Sequence, residues 1–400
     1  MATNRDTITL ERARARRAAQ GPTPFPGEPG LVVHAVGARP NFVKMAPLID
    51  ALYQRGATSQ LVVHTGQHYD RKMSAEILDD LSFPPPDYSL GVGSGTHGAQ
   101  TGKVLIAFER ILLERDPAVV VVAGDVNSTL ACALAASKLH IPVVHVESGL
   151  RSGDWSMPEE VNRVLTDRLA DLLLTHSPEA EANLAREGVA LERVHYVGNT
   201  MIDSLRRFEP TARERATWKR FGVEARNYML VTLHRPSNVD APARLTGIVN
   251  ALCSLADHAP IVFPVHPRTR KRLAASSELE RLESAGVRCT EPVGYLDFLS
   301  LQVGAGTIVT DSGGVQEEAS ALGIPCYTLR ANTERPVTIS HGTNELLGDD
   351  PARLHGVRLS AQPPTPCAIP LWDGHAGQRA ADVVVSAFPA IAAVRAAAQA

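Results

Sequence analysis

The sequence predicts an α/β protein made of two doubly wound halves in tandem, each a parallel sheet covered by helices. Three observations predict it. Short apolar runs lack the polar alternation of a half-solvated strand, the mark of strands buried on both faces. They alternate with segments whose apolar residues recur at helical spacing. The alternation occurs twice over 400 residues, a length that itself favours two domains.

Residues 1–30 are Arg- and Ala-rich, then Pro- and Gly-rich from Gly21 to Gly30, and read as a tail. Ile8 to Ala19 has the composition of a short helix with little to bury. LVVHAVGA (31–38) is the first strand, and Met45, Leu48, Ile49 and Leu52 mark the helix after it. QLVVHTGQ (60–67), AVVVVAGDV (118–126), IPVVHVESG (141–149), DLLLTHS (171–177) and HYVGN (195–199) read as further strands. Thr101 to Glu114, NSTLACALAASKLH and PEEVNRVLTDRLA (158–170) read as the helices between them. A charged connector near Ser204–Glu224 separates a first domain, 31–205, from a second, 206–375. In the second, NYMLVTLHRP (227–236), PIVFPVH (260–266), VRCTEPV (287–293), TIVTDSGG (307–314) and IPCYTLR (324–330) are strands. Arg244 to Asp257 and Gly314 to Leu322 are helices, and an Ala-rich helix closes the chain over 376–400. Ligands of such sheets bind at the carboxyl ends of the strands, so two facing halves predict one cleft.

Composition narrows the function. Hydrophobic residues are 44% and charged residues 21%, ordinary for a packed protein. A net charge of -3 provides no basic field for nucleic acid, so an anionic ligand must be held by locally placed groups. The five cysteines are odd in number and widely spaced, which argues against a disulfide framework and a Cys-based zinc site and predicts that most are small core residues. No apolar run reaches the roughly 20 residues that span a bilayer. No secretory signal is evident, so no membrane is expected and the cytoplasm is the expected compartment.

Five segments carry chemistry. In GARPNFVKMAP (37–47), Arg39 and Lys44 flank a helix start with Pro40 in its first turn, an arrangement suited to an anion; the bland alternative is a tight turn with solvated charges. In TDSGGVQEEASALGIP (310–325), Gly313 and Gly314 allow close backbone approach. Ser312 either caps the helix or donates to a phosphate, and Glu318 lies within reach of a ribose diol. Asp125 and Glu147 end successive strands, and Glu159 and Glu160 begin a helix; they read as proton-transfer groups or as caps and dipole partners. LHRPSN (233–238) ends a strand at His234, able to donate to a diphosphate or act as an acid, with His266 a weaker candidate. Arg330, Glu334 and Arg335 form a charged loop, in which Arg335 reads as a phosphate clamp or as part of a surface ion-pair cluster.

Taken together and in this order, GARPNFVKMAPL, TGQHYD, GDVNSTLA, HVESGLRSGD with PEEVNR, VGNTMIDSL, HRPSN, TDSGGVQEEASALGIP and NTERP resemble the UDP-N-acetylglucosamine 2-epimerase family across roughly Leu31 to Gly348. The resemblance implies the GT-B-like fold of two facing Rossmann-like domains, the second binding UDP, with the C-terminal helix packing back on the first. It implies a UDP-sugar substrate, a homodimer, and neither a nicotinamide cofactor nor a metal. Arg39, His234, Ser312, Gly313, Gly314 and Arg335 match diphosphate ligands, Glu318 a ribose ligand, Phe298 an aromatic against uracil, and Lys44 a lysine near the active site. Asp125, Glu147 and Glu159 match catalytic acids, with His234 beside them. The implied reaction is anti elimination of UDP to a 2-acetamidoglucal, then readdition on the other face of C2.

Gln67-His68-Tyr69-Asp70 departs from the family's Gln-His-Arg segment, which weighs against an allosteric second UDP-sugar. Ser148, the short Asp154-Trp155-Ser156-Met157 link and His234-Arg235-Pro236 depart as well. A hydrolysing 2-epimerase uses the same elimination but releases N-acetylmannosamine. A GT-B glycosyltransferase would need an acceptor groove, for which no basic or amphipathic stretch stands out.

Overall fold

A computed structural model describes residues 30–56, 59–66, 80–81, 83–360, 362–365 and 367–399, with side chains as far as residue 387 and without that of Arg39. The Ile8–Ala19 helix and the Gln67-His68-Tyr69-Asp70 segment of the sequence reading lie outside the described residues. The chain divides into two compact units, Met1–Ser204 with Asp373–Ala400, and Leu205–Trp372.

The first unit holds β1 (Val32–Val36), β2 (Gln60–His64), β3 (Tyr88–Ser89), β4 (Val119–Ala123), β5 (Val143–Ser148), β6 (Leu172–Thr175) and β7 (Val194–Tyr196). They pair in parallel in the order β3-β2-β1-β4-β5-β6-β7. The intervening helices are α1 (Arg39–Gln54), α2 (His97–Arg115), α3 (Asn127–Lys138), α4 (Pro158–Leu169) and α5 (Pro178–Arg186), and α6 (Thr200–Arg215) begins in this unit and continues into the second. Helix α1 starts where Pro40 pre-sets the backbone, and it buries Met45, Leu48, Ile49 and Leu52. Val33, Val63, Val120, Val122 and Leu173 pack from the sheet against Phe108 and Leu112 of α2. Each such side chain contributes about 1.5–3 kcal/mol relative to exposure.

The second unit holds β8 (Met229–Thr232), β9 (Ile261–Pro264), β10 (Arg288–Thr290), β11 (Thr307–Thr310), β12 (Cys326–Thr328) and β13 (Asn344–Leu346), parallel in the order β10-β9-β8-β11-β12-β13. Its helices are α7 (Pro236–Val239), α8 (Pro242–Ala256), α9 (Pro267–Ala275), α10 (Glu278–Ser284), α11 (Tyr295–Gly304), α12 (Gly313–Leu322) and α13 (Val337–Ser340). Met229, Val231, Phe263 and Val309 form a core with Ile248, Leu252 and Leu255 of α8.

The last helix, α14 (Ala376–Gln399), belongs to the first unit. Asp203 accepts from the backbone N–H groups of Ala376 (3.1 Å) and Gly377 (2.6 Å) at its start. Arg379 donates to the Val197 carbonyl at 2.7 Å, and Arg55 to Asp382 at 2.9 Å.

In both sheets the strand order reverses beside the first strand, between β1 and β4 and between β8 and β11. Doubly wound sheets bind ligands at the carboxyl ends of such a pair. Cys132 and Cys326 are buried in the cores, half-buried Cys253 and Cys289 pack against the core of the second unit, and Cys367 is half-buried. Strands β3 and β13, two and three residues long, were not among the strands read from the sequence. Among the described residues no helix is long and apolar enough to cross a membrane.

Candidate active site

At the switch point of the first unit, β1 runs into Gly37 and Ala38, whose N–H groups donate to Asn41 Oδ1 at 3.1 and 2.9 Å. Asn41 Nδ2 donates in turn to the Ala123 carbonyl at 2.9 Å, which fastens the start of α1 to the end of β4. A Cβ on Gly37 would collide with the Ser128 and Thr65 hydroxyls, so any larger residue at this turn forces those side chains to move. Arg39 is the first residue of α1. One turn along, Lys44 forms a buried ion pair with Glu147.

Glu147 lies near the end of β5, where the pairing with β6 shifts between Val146 and Ser148. Its φ of 66° is left-handed, a strained conformation for a glutamate that tertiary contacts must hold. Several do. Asp167 accepts from His145 (2.6 Å), the Gly149 N–H (3.0 Å) and Arg151 (2.7 Å), and His145 Nε2 lies 2.8 Å from the Gly124 carbonyl. Burial pushes the Asp167 carboxyl up, but its bonds and charges from His145 and Arg151 hold it below the ordinary range. Gly124 (φ 68°) brings the backbone close: a Cβ there would lie 3.2 Å from Lys44 Nζ and 3.4 Å from Glu147 Oε2.

Asp125 follows Gly124 and accepts from Arg163 Nη1 at 2.7 Å. The Arg163 side chain is buried and also donates to Glu160 at 2.8 Å through Nη2. Glu160 takes the N–H groups of Ser152 (3.0 Å) and Gly153 (2.9 Å) as well. Burial pushes its carboxyl up, and those bonds with the Arg163 charge more than offset it, leaving it below the usual range. Glu160 is thus a brace for the loop before α4, whereas its neighbour Glu159 is half-buried in the first turn of that helix.

In the second unit His234 follows β8 and Asp311 follows β11, the switch-point pair. His234 Nδ1 lies 2.9 Å from Asp311 Oδ1. Ser312 is the N-cap of α12, and its hydroxyl makes no capping bond among the described residues; its N–H donates to Thr310 Oγ1 at 3.0 Å. Gly313 packs so closely on the Arg335 guanidinium that no Cβ fits, while Gly314 is half-exposed in the first helical turn. Arg335 pairs with Glu334 and sits 3.0 Å from Glu317. Glu334 is also shared with Arg330 at 2.7 Å and Arg235 at 3.8 Å. These three guanidinium groups thus gather around Glu334 and Glu317 in the loop beside Gly313.

Glu318 is buried, and its Oε2 accepts from Gln302 Nε2 of α11 at 2.7 Å. Phe298 is half-buried one helical turn before Gln302. Asp297 anchors α11, accepting from Thr217 and Arg220 at 2.9 Å each. His266 is exposed, caps α9 by accepting the Arg268 N–H at 3.2 Å, and has its ring centroid 5.4 Å from that of His234.

The sequence-predicted residues divide between the units: Arg39, Lys44, Asp125, Glu147 and Glu159 on the first, and His234, Ser312, Gly313, Gly314, Glu318, Phe298 and Arg335 on the second. Three residues that carry the geometry were missed. Asp311 stood inside TDSGG, Arg163 inside PEEVNR and Asn41 inside GARPNF. For Arg163 the i,i+3 spacing to Glu160 was a usable signal.

Residues 50–385 match the family model described as UDP-N-acetylglucosamine 2-epimerase. A UDP-N-acetylglucosamine 2-epimerase of Methanocaldococcus jannaschii is 44% identical over 352 residues, 86% of this chain and 96% of the relative. The UDP-2,3-diacetamido-2,3-dideoxy-D-glucuronate 2-epimerase of Pseudomonas aeruginosa is 43% identical over 322 residues, 79% of this chain and 88% of the relative. Among solved structures, the M. jannaschii UDP-GlcNAc 2-epimerase in complex with UDP-GlcNAc and UDP has a TM-score of 0.82 at 42% identity, covering 89% of this chain and 99% of that one.

Proposed function

We propose, because this chain belongs to the UDP-N-acetylglucosamine 2-epimerase family, that it interconverts UDP-N-acetylglucosamine and UDP-N-acetylmannosamine. The observation that carries the reading is the pair of carboxylates at adjacent strand ends, Asp125 on Arg163 and Glu147 on Lys44, each paired with a cation.

The chemistry calls for such an array. The C2 proton is not next to a carbonyl, so a carboxylate alone is too weak a base for it. Departure of UDP from C1 must first build positive charge there. In the forward step the C1–O bond breaks, the C2 proton passes to a carboxylate, and a 2-acetamidoglucal remains with UDP. Readdition re-forms C1–O and delivers a proton to the opposite face of C2. Asp125, Glu147 and Glu159 are the proton-transfer groups in this reading. Arg39, His234, Ser312, Gly313, Gly314 and Arg335 hold the diphosphate, stabilising the charge that grows as UDP leaves. Glu318 takes the ribose and Phe298 the uracil. No cofactor enters the scheme.

Product analysis after incubation with UDP-N-acetylglucosamine tests the reading. UDP-N-acetylmannosamine supports it, and free N-acetylmannosamine with UDP assigns the chain to the hydrolysing type. The P. aeruginosa relative favours a second substrate, the 2,3-diacetamido uronate, to be run in parallel. The reading places the enzyme in the cytoplasm with its nucleotide sugar, and as a homodimer. Exposed Ile106 and Leu113, stacked on one side of α2, supply an apolar face for a second copy, which the mass in solution checks.

A further inference from the structure

We propose that Asp311 is a positioning residue for this reaction: its buried carboxylate fixes the His234 ring so that Nε2 is the nitrogen presented to the diphosphate. The inference rests on the reading of His234 as a substrate-facing group.

Asp311 is 0% exposed and is surrounded by donors. His234 Nδ1 lies 2.9 Å from Oδ1. Oδ2 accepts the N–H groups of His234 (2.9 Å) and Arg235 (2.8 Å) and Asn238 Nδ2 (3.0 Å). Burial pushes this carboxyl up, but the bonds from His234, Asn238 and Arg235, with the charge of His234, hold it below the usual range. An ionised carboxylate only accepts, so Nδ1 must carry a proton. That leaves Nε2 as the working nitrogen, an acceptor when the ring is neutral and a donor when it is charged. The His234 side chain is 35% exposed, so one side of the ring stays accessible.

The same carboxylate fixes where the ring stands. His234 comes from the end of β8 and Asp311 from the end of β11, so one group ties the two switch-point strands together. Asn238 extends the tie by donating to the Leu329 carbonyl after β12 at 3.0 Å. His266, the other ring nearby, spends Nδ1 on capping α9.

The test is a double-variant cycle of Asp311→Asn and His234→Gln, with kcat and UDP affinity measured for each protein. Asparagine keeps the size and one acceptor but turns a donor toward the backbone N–H groups. Asp311→Asn is expected to lower kcat on the order of 10²-fold and to weaken UDP binding with it, because the ring it positions is assigned to the diphosphate. In the His234→Gln background it should cost nothing further. Additive losses, or an unchanged kcat with Asp311→Asn alone, would overturn the proposal and leave the reading of His234 standing. An unchanged kcat with His234→Gln would overturn both. Should Asp311→Asn fail to fold, ¹⁵N NMR of histidine-labelled native enzyme reads the ring directly. A proton on Nδ1 of His234 supports the proposal, and a ring protonated on Nε2 alone overturns it.

Discussion

Glu147 holds a left-handed backbone (φ 66°) that costs a non-glycine residue about 1–3 kcal/mol, and it does so with its carboxylate locked to Lys44. Strain kept beside an ion pair means that the surroundings, not local preference, aim this side chain. Glu147→Gln and Asp125→Asn are expected to abolish turnover while UDP binding, measured by calorimetry, stays near native, because neither carboxylate is assigned to the diphosphate. A parallel loss of UDP affinity would show those assignments to be wrong. Arg335→Ala should do the opposite in part, weakening UDP binding by about 1.5–3 kcal/mol for one charged partner. It should also lower the melting temperature, since it removes a cation from beside the buried Glu317 and Glu334 carboxylates. At this scale the sequence was readable where chemistry shows in residue type. Ser-Gly-Gly at 312–314 announces a tight strand-to-helix turn, but an aspartate before it looks like any strand-end aspartate. Only the fold reveals that Asp311 takes bonds from His234 and Arg235 after β8 and from Asn238 in α7, all far off in sequence. Nor does any pattern announce a left-handed glutamate.

At the scale of elements, the start of α14 is held by one carboxylate. Burial is the largest influence on Asp203, and although the N–H groups of Gly377 and Ala376 and the Arg379 charge pull the other way, its carboxyl is pushed up to about 6. The folded state therefore holds this proton more tightly than the unfolded chain, whose aspartate titrates near 4. The resulting stability is complete below about pH 4 and is lost as pH rises to about 6, roughly 3 kcal/mol in all. Urea unfolding of native protein should show that falling component between pH 4 and 6, and Asp203→Asn should lack it. An identical pH dependence in the two proteins would refute the attribution. Elements with long apolar runs, such as β4 and β5, were legible because buried parallel strands leave an unbroken apolar signature. Strands β3 and β13 were not, because Tyr88–Ser89 and Asn344–Leu346 lie in stretches with no apolar run.

Across the whole molecule, candidate residues follow strands at the order reversals, Asp125 after β4 in one unit and His234 and Ser312 after β8 and β11 in the other, with Glu147 near the end of the neighbouring β5. The two doubly wound halves were legible from alternating strands and helices, and the strand order was not, since it is set by which strands pair. The central claim is that a carboxylate removes the C2 proton and another returns it on the opposite face. The most direct test is proton NMR of the enzyme with UDP-N-acetylglucosamine in deuterated water. The account predicts UDP-N-acetylmannosamine carrying deuterium at C2. An epimer that retains its original proton there, or no change in a protein that binds UDP, would contradict it.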